Sequence, residues 1–550
     1  MASSDDGDTA SLYFLFFASV LALVLMSSKA LHSRPKLNSV LSEPALVLLI
    51  GMLCSFFVYF FFSFDRFNTV QLDEGDDAAQ QQQQAEEGDL TQTILSFPSR
   101  IFFMALLPPI LFNSGYQLQR ELFYRHIKPI SLFSVLGTTV SGLATGLLLF
   151  GFKQLGWLGA FDPSFLELCT FGALIAATDT VSVLGVLQAK RVDPHLFSLV
   201  FGESALNDAV AIVLFRSFAS MLEGDVEQID GVFDVILQIL FDFSYQVVGS
   251  PCLGIVFAFV IALLFKYVDL RETKMIELSL FVLLMYFPFV MAEEIHLSGI
   301  VSIFFAGLSA RRYIEPNVSE ETKRNAEIVF HLVSYLAETC IFLELGLSVF
   351  GLSGSFQWKF IGLALVAALF GRAMSVYPIS IMFNFSLEET EPLLEGNNGD
   401  DDYDDASVGS NSSSSWTSTN RRRVVPERRI DKRIPFSFMH VLWFAGLRGA
   451  VAYSCARDFP NLYGHRDEFT ACTMVIVFVT IVIMGGCTES FLDYLKIPMN
   501  VDEMEYMKAW RRRRRLKGFY HEFGTCDDRE RKKMRCPLFV IRDLWVVFEF

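Results

Sequence analysis

The sequence predicts an all-helical protein that crosses a membrane about thirteen times, and three observations carry that prediction. Apolar residues make up 52% of the 550 residues, and 56 of them are Phe. That is more apolar than an ordinary soluble domain, and so much Phe suits a surface that faces lipid. Thirteen stretches are long and apolar enough to be spans, which need about 20 such residues. Alternating those spans places 22 Lys and Arg in the loops on the side of the C-terminus and 4 on the other side. Such an asymmetry marks the cytosolic side. Adding or dropping one internal span scrambles it. The same composition excludes a disordered chain, a collagen and a coiled coil. The formal net charge of −16, without a basic domain, argues against nucleic acid as a partner.

The spans follow in order. Residues 1–10 carry Asp5, Asp6 and Asp8 and no Lys or Arg. They read as a lumenal or external N-terminus rather than the basic start of a cleaved signal. The transmembrane domain then occupies 11–493, with spans at 11–29, 40–62, 99–116, 127–152, 166–188, 195–220, 246–267, 274–292, 297–312, 327–351, 357–384, 436–456 and 470–493. The least regular are 99–116, which holds Pro108-Pro109, and 297–312, which is short. Residues 230–245 read as an interfacial helix. Residues 63–98, acidic and then Gln-rich, form a flexible lumenal loop. Residues 387–433 are acidic, then Ser-rich, then basic, and read as a disordered cytosolic insertion. The tail, 494–550, is short, basic and cytosolic; Arg511–Arg515 beside the membrane read either as a site that attracts anionic lipid head groups or as a topology signal only. The sequons at Asn317, Asn384 and Asn411 fall on the cytosolic side and are expected to carry no glycan. Seven Cys lie in apolar segments without C-x-x-C spacing and read as buried thiols.

Charges inside spans are functional candidates because lipid makes them costly. They are Asp179, Glu203, Asp208, Glu277, Glu338, Glu344, Arg372 and Arg448. Six acids face two bases, so pairing cannot neutralise every carboxylate, and some must take a proton or a cation. In Phe201–Asp208, helical spacing puts Ser204 and Asp208 on one face and Glu203 and Asn207 on the adjoining face. Hydroxyl, amide and carboxylate oxygens are hard ligands that suit Na⁺, K⁺ or H⁺; the bland alternative is a polar network between helices. Thr178-Asp179-Thr180 disfavours a regular helix and frees carbonyls. Arg372 requires a buried acid, Glu203 first and Glu338 second. Arg448, between Gly446 and Gly449, offsets helix-end carbonyls or pairs with Glu338 or Glu277. Glu344 reads as facing water, and His331 and His440, near span ends, as structural.

These motifs resemble a family. Phe102-Phe103-Met104-Ala105-Leu106-Leu107-Pro108-Pro109-Ile110 resembles the F-F-x-x-L-L-P-P-I segment of the sodium/proton exchangers, implicated there in amiloride-type inhibition. Ala177–Val181 resembles their A-T-D-P-V motif, Phe201–Asp208 their F-G-E-S-x-L-N-D, and Gly446–Ala450 their G-L-R-G-A. Ala337-Glu338-Thr339 and Gly371-Arg372-Ala373 are similar to family positions, and all run in family order over 11–493. The resemblance implies the monovalent cation/proton antiporter fold: thirteen helices, inverted six-helix repeats, and two crossing broken helices that carry Asp179 and Arg448. It implies a homodimer and no cofactor. It also implies a cation held by Asp208, Ser204, Asp179 and the Thr178 carbonyl, with Asn207 orienting the site and Glu203–Arg372 as a structural pair. Glu338 and Arg448 are supporting buried charges, and Phe102, Phe103, Leu107, Pro108 and Pro109 form the inhibitor motif. Two departures stand out: Thr180 replaces the family's Pro, and the 387–420 insertion is long. The short tail resembles the organellar exchangers, implying a Golgi, endosomal or vacuolar membrane, with the plasma membrane as the alternative.

The implied function is electroneutral exchange of Na⁺ or K⁺ for H⁺ by alternating access, serving pH and cation homeostasis. Removing water from a carboxylate favours its protonated form, and a bound cation compensates the charge instead. The residue before Asp208 is the neutral Asn207, so one acid titrates and the exchange is one for one. No P-loop is present, so no ATP drives it. A passive cation channel or a non-transporting ion sensor is the alternative; channels build filters on symmetry axes. An intramembrane aspartyl protease fails for want of G-x-G-D, so the expectation is a transporter and not an enzyme.

Overall fold

The computed structural model describes residues 2–33, 42–70, 102–118, 123, 126–159, 161–223, 232–350, 356–390 and 433–501. Among the described residues the regular structure is helical. In chain order the helices are α1 (Ala2–His32), α2 (Glu43–Val70), α3 (Leu107–Gln117), α4 (Ile127–Gln154), α5 (Phe165–Ile175), α6 (Val181–Ala189), α7 (Pro194–Glu223) and α8 (Val232–Tyr267). They continue with α9 (Lys274–Leu284), α10 (Phe287–Glu294), α11 (Gly299–Tyr313), α12 (Glu320–Leu347), α13 (Trp358–Thr390), α14 (Phe436–Phe444), α15 (Ala450–Arg457) and α16 (Arg466–Tyr494). Seven helices among the described residues are long and apolar enough to cross a membrane. The chain is a multi-pass integral membrane protein.

Every sequence-predicted span meets helix, with instructive differences. The expected interfacial helix at 230–245 is continuous with the next span in α8, which runs through Pro251 without ending. α1 begins at Ala2, inside the segment expected to precede the first span. α2 runs on to Val70 and α13 to Thr390, so each takes the first turns of a segment expected to be flexible. The remainder of 63–98 and of 387–433 (apart from Arg433), and the tail beyond 501, lie outside the described residues. The 274–292 span is divided at Met285-Tyr286, and Pro288 begins the second half as a first-turn proline.

Local chemistry sets several helix starts. Ser164 and Glu167 form a reciprocal capping box at α5, with bonds of 3.2 and 2.7 Å. Ser319 caps α12 by accepting from the Thr322 N–H. Glu277, read from sequence as an intramembrane charge, reinforces that cap from α9. Its carboxylate accepts from the Ser319 N–H (3.2 Å) and hydroxyl (2.7 Å) and from the Thr322 hydroxyl (2.6 Å).

The helices form two groups. α4, α7, α13 and α16 pack around the two interrupted spans, α5–α6 and α14–α15, while α3, α8, α10, α11 and α12 form a scaffold with α2. In the first group α4 and α5 approach so closely that a Cβ on Gly172 would lie 2.3 Å from the Gly142 carbonyl oxygen. Phe is not only a lipid-facing residue here. Phe171, Phe360, Phe459 and Phe469 are fully buried and meet in tilted and edge-to-face contacts with centroids 4.7–5.7 Å apart. Among the described residues seven Cys are free thiols; Cys169, Cys455 and Cys472 are buried, as expected, whereas Cys487 is exposed and Cys54, Cys252 and Cys340 are partly so.

Candidate functional site

The site is built where two helices stop. α5 ends at Ile175 and α6 starts at Val181, leaving 177–180 without helical hydrogen bonding; α14 ends at Phe444 and α15 starts at Ala450, leaving 446–449 likewise. The two breaks cross. The Asp179 N–H donates to the Leu447 carbonyl across them at 2.8 Å. Gly449 makes the approach possible, since a Cβ there would lie 2.1 Å from Asp179 Cβ and 2.3 Å from Oδ2. Its φ of −138° is open to any residue, so space rather than backbone conformation demands glycine.

Interrupted helices leave carbonyls without N–H partners. Arg448, 2% exposed, supplies donors to them: its guanidinium reaches the carbonyls of Ala176 (3.0 Å), Ala177 (3.3 Å) and Ala368 (3.4 Å). Of the roles open to Arg448 on sequence, the helix-end carbonyls are the one observed. Neither Glu338 nor Glu277 is its partner. Glu277 serves the α12 cap, and Glu338, half-buried, accepts from Ser334 one turn back on α12 at 3.2 Å.

α7 presents its polar face to the first break. The Ser204 hydroxyl donates to the Thr178 carbonyl at 3.0 Å. The Asn207 amide donates to the Thr178 hydroxyl (2.6 Å) and the Ala176 carbonyl (3.3 Å), and its Oδ1 accepts from the Thr138 hydroxyl. Asn207 is thereby held at both ends. Asp208, one residue on, is half-buried, and among the described residues no donor reaches its carboxylate within hydrogen-bond distance. Asp179 is likewise half-buried, beside Gly449. The structure thus brings Asp179, Thr178, Ser204 and Asn207 together, with Asp208 beside them on α7. Thr180, where the resembled motif has Pro, is buried and stands at the N-cap position immediately before α6.

Glu203 points the other way and meets Arg372 of α13 in a two-pronged pair. Arg372 Nη2 lies 2.7 Å from Oε2, Nη1 bonds Oε1, and Nη2 also donates to the Leu442 carbonyl at 2.9 Å. The side chains are 5% and 2% exposed. Gly446 gives the guanidinium room, since a Cβ there would lie 2.8 Å from Nε.

The segment that resembles the F-F-x-x-L-L-P-P-I motif is a π-helical turn, Phe102–Leu106, leading into α3, with Leu107 and Pro108 buried and Pro109 partly so. The side chains of Phe102 and Phe103 lie outside the described residues. His440 bonds Tyr377 at 2.8 Å and His331 bonds Gln117 at 3.2 Å. Glu344 is half-buried.

Sequence reasoning missed four participants. Thr138 follows a π-helical turn at Leu132–Gly137, and Thr480 opens another at Thr480–Gly485 and accepts from the Arg448 N–H at 3.1 Å. A π turn re-aims side chains, and such turns recur at functional sites; neither has a sequence signature. Arg216 and Glu293 (3.2 Å) link the site helix α7 to α10 in the scaffold. Arg216 lies eight residues after Asp208, and helical continuation of that motif was the available signal.

This geometry defines a class: a helical membrane protein whose polar centre is the crossing of two interrupted helices, faced by a carboxylate helix. Residues 19–493 match the family described as sodium/hydrogen exchanger, transmembrane, and the chain belongs to that family. Sodium/hydrogen exchanger 9 of Rattus norvegicus is 32% identical over 429 residues, covering 77% of this chain and 59% of that protein. Sodium/hydrogen exchanger 8 of Homo sapiens is 32% identical over 402 residues (73% and 61%), and sodium/hydrogen exchanger 5 of Arabidopsis thaliana 33% over 415 (74% and 70%). The chain thus spans about three fifths of the length of the exchanger 9 and exchanger 8 relatives. Among solved structures, the sodium proton antiporter MjNhaP1 from Methanocaldococcus jannaschii at pH 8 superposes with a TM-score of 0.57 at 15% identity, covering 88% of this chain and 98% of that one. The likeness carries the fold.

Proposed function

We propose that this protein is a secondary antiporter exchanging Na⁺ or K⁺ for H⁺, with Asp208 as the residue that the two substrates occupy in turn. The observation that carries the reading is how the buried cations are disposed. Arg372 is held by Glu203 and Leu442, and Arg448 by three carbonyls. Neither guanidinium bonds Asp208, so its compensating charge comes from a mobile cation or a proton. Ser204, Asp179 and the Thr178 carbonyl are the oxygens beside it, and all are hard donors suited to alkali cations. Asn207, clamped by Thr138 and Thr178, positions the helix turn that bears Asp208.

One carboxylate that holds either a proton or a monovalent cation couples the two flows one for one and moves no net charge. Alternating access comes from movement of the α4–α7 and α13–α16 group against the scaffold. A homodimer built on the scaffold and residence in an endomembrane complete the reading, which rests on family resemblance for both points.

The test is flux in vesicles holding the purified chain. Imposed Na⁺ or K⁺ gradients should dissipate a pH gradient without net current, each cation being run separately. Asp208→Asn should abolish the flux while leaving the protein monodisperse and equally heat-stable. Wild-type rates in that variant would refute the site, and a gradient-driven current would replace the exchanger with a channel.

A further inference from the structure

We propose that the crevice between the moving group and the scaffold is a binding site for one hydrocarbon chain, that of a long-chain fatty acid. The crevice has a volume of about 400 Å³, near the small end of the roughly 300–1,000 Å³ of ligand pockets. That suits a single chain better than a two-chain phospholipid. Leu132 and Val135 of α4 and Val210 and Val213 of α7 form one wall; Val248 of α8 and Phe305 of α11 form the other. Among the described residues no charged side chain lines it; its polar groups are hydroxyls of Ser and of Tyr313. A site for a hydrated ion would need more oxygen than this, whereas an alkyl chain needs none.

The crevice is long. It runs from Ile127 and Tyr313, at the membrane face that the Lys and Arg distribution assigns to the cytosol, past the turn of α7 that holds Ala209, to Ser244 on α8. At the far end Arg216, three residues after the lining Val213, is paired with Glu293 at 3.2 Å; at the first end, among the described residues, two cationic residues flank the lining. Lys128, exposed, follows Ile127, and Arg312, whose guanidinium lies 5.4 Å from the Tyr313 ring centroid, precedes Tyr313. An apolar slot with cations at its mouth matches a carboxylate head on a hydrocarbon tail. Burial of each methylene there adds to affinity as in any apolar site.

Position gives the site its consequence. The two walls belong to bodies that, on the proposed function, slide past each other, and Ala209 is the neighbour of Asp208. A chain lodged between them favours the arrangement seen here over any in which the walls close, by its differential affinity for the two.

The test is photolabelling of the full chain in phospholipid nanodiscs with a diazirine-bearing palmitic acid, mapped by peptide mass spectrometry. Label should concentrate on peptides from 244–255 and 301–313 and be displaced by unlabelled palmitate. Val135→Trp and Val248→Trp each fill the slot from opposite walls. Each should cut that labelling about tenfold, as expected for displacing roughly two methylene groups, with the melting temperature as the check on folding. Lys128→Ala with Arg312→Ala should weaken the acid and bring it level with its methyl ester. Label spread evenly over lipid-exposed positions such as Val366 and Phe370, or unchanged in both tryptophan variants, would overturn the proposal. So would equal labelling of the wild type by acid and ester. Labelling is read without ion flux, so failure of exchange activity leaves this result standing on its own.

Discussion

Replacing Arg372 by Met tests whether the Glu203–Arg372 pair holds the crossing together. Met keeps much of the arginine's length and apolar stem and removes the charge. Glu203 then remains buried, at 2% exposure, without its cation, and the Leu442 carbonyl at the end of α14 loses its donor. Stranding one member of a buried pair costs about 3–5 kcal/mol, and the lost carbonyl bond about 1 kcal/mol more. Glu203→Gln strands Arg372 in the same way, although its amide keeps part of the hydrogen bonding. The double variant has no buried charge and should recover much of the loss, giving a coupling of about 1–3 kcal/mol. Melting curves of the four proteins in one detergent, together with the fraction recovered as a monodisperse peak, measure this. Arg372→Met within about 1 kcal/mol of the parent, or a double variant equal to the sum of the singles, would refute the reasoning.

Two further changes separate the crossing from its supports. Gly449→Ala puts a methyl group 2.1 Å from Asp179 Cβ, so the breaks must part; stability should fall by about 1–3 kcal/mol and cation-driven proton flux should fall disproportionately, whereas wild-type flux would show that the contact is dispensable. Glu277→Ala removes the acceptor for three donors at the start of α12, and should cost about 1–3 kcal/mol with faster amide exchange at 319–323 and an unchanged cation dependence of flux. An unchanged exchange rate at those amides would exclude the cap.

The membrane spans were legible because lipid imposes a length and a polarity that a one-dimensional scan detects. The breaks were legible as well, since Thr178-Asp179-Thr180 and Gly446-Leu447-Arg448-Gly449 both weaken a helix locally. What a linear reading could not supply was the partner of each polar group when that partner is a backbone atom or is distant in the chain. Arg448 was open between acids and carbonyls because carbonyls have no letter in the sequence. Thr138 lies 69 residues from Asn207, and its hydroxyl is aimed by a π turn that no residue type announces. Glu277 failed differently: counted as a charge in a span, it is a cap shared between helices, and Ser319 with Thr322 was the signal that could have said so. The end of a span is equally poorly marked when a helix runs past the apolar stretch, as α8 and α13 do.

The placement of Asp208 follows from what the surrounding groups have already committed to. A broken helix in lipid presents carbonyls that must be satisfied, and Arg448 satisfies those of the first break while the second break is tied to the first through Asp179 N–H and Leu447. That arrangement fixes a positive group in the crossing but turns its donors toward backbone oxygen. Glu203 in turn absorbs Arg372 on the opposite face of α7. Had either arginine been turned toward Asp208, the acid would hold a permanent counter-ion, and neither a proton nor an alkali cation would compete for it. On the proposed function the two arginines act on transport by being engaged elsewhere, and releasing one of them should affect the site as much through misplaced positive charge as through lost stability. On this view Gly446 and Gly449 set both constraints at once: the first makes room for Arg372 beside Glu203, the second admits Asp179 against the opposite break.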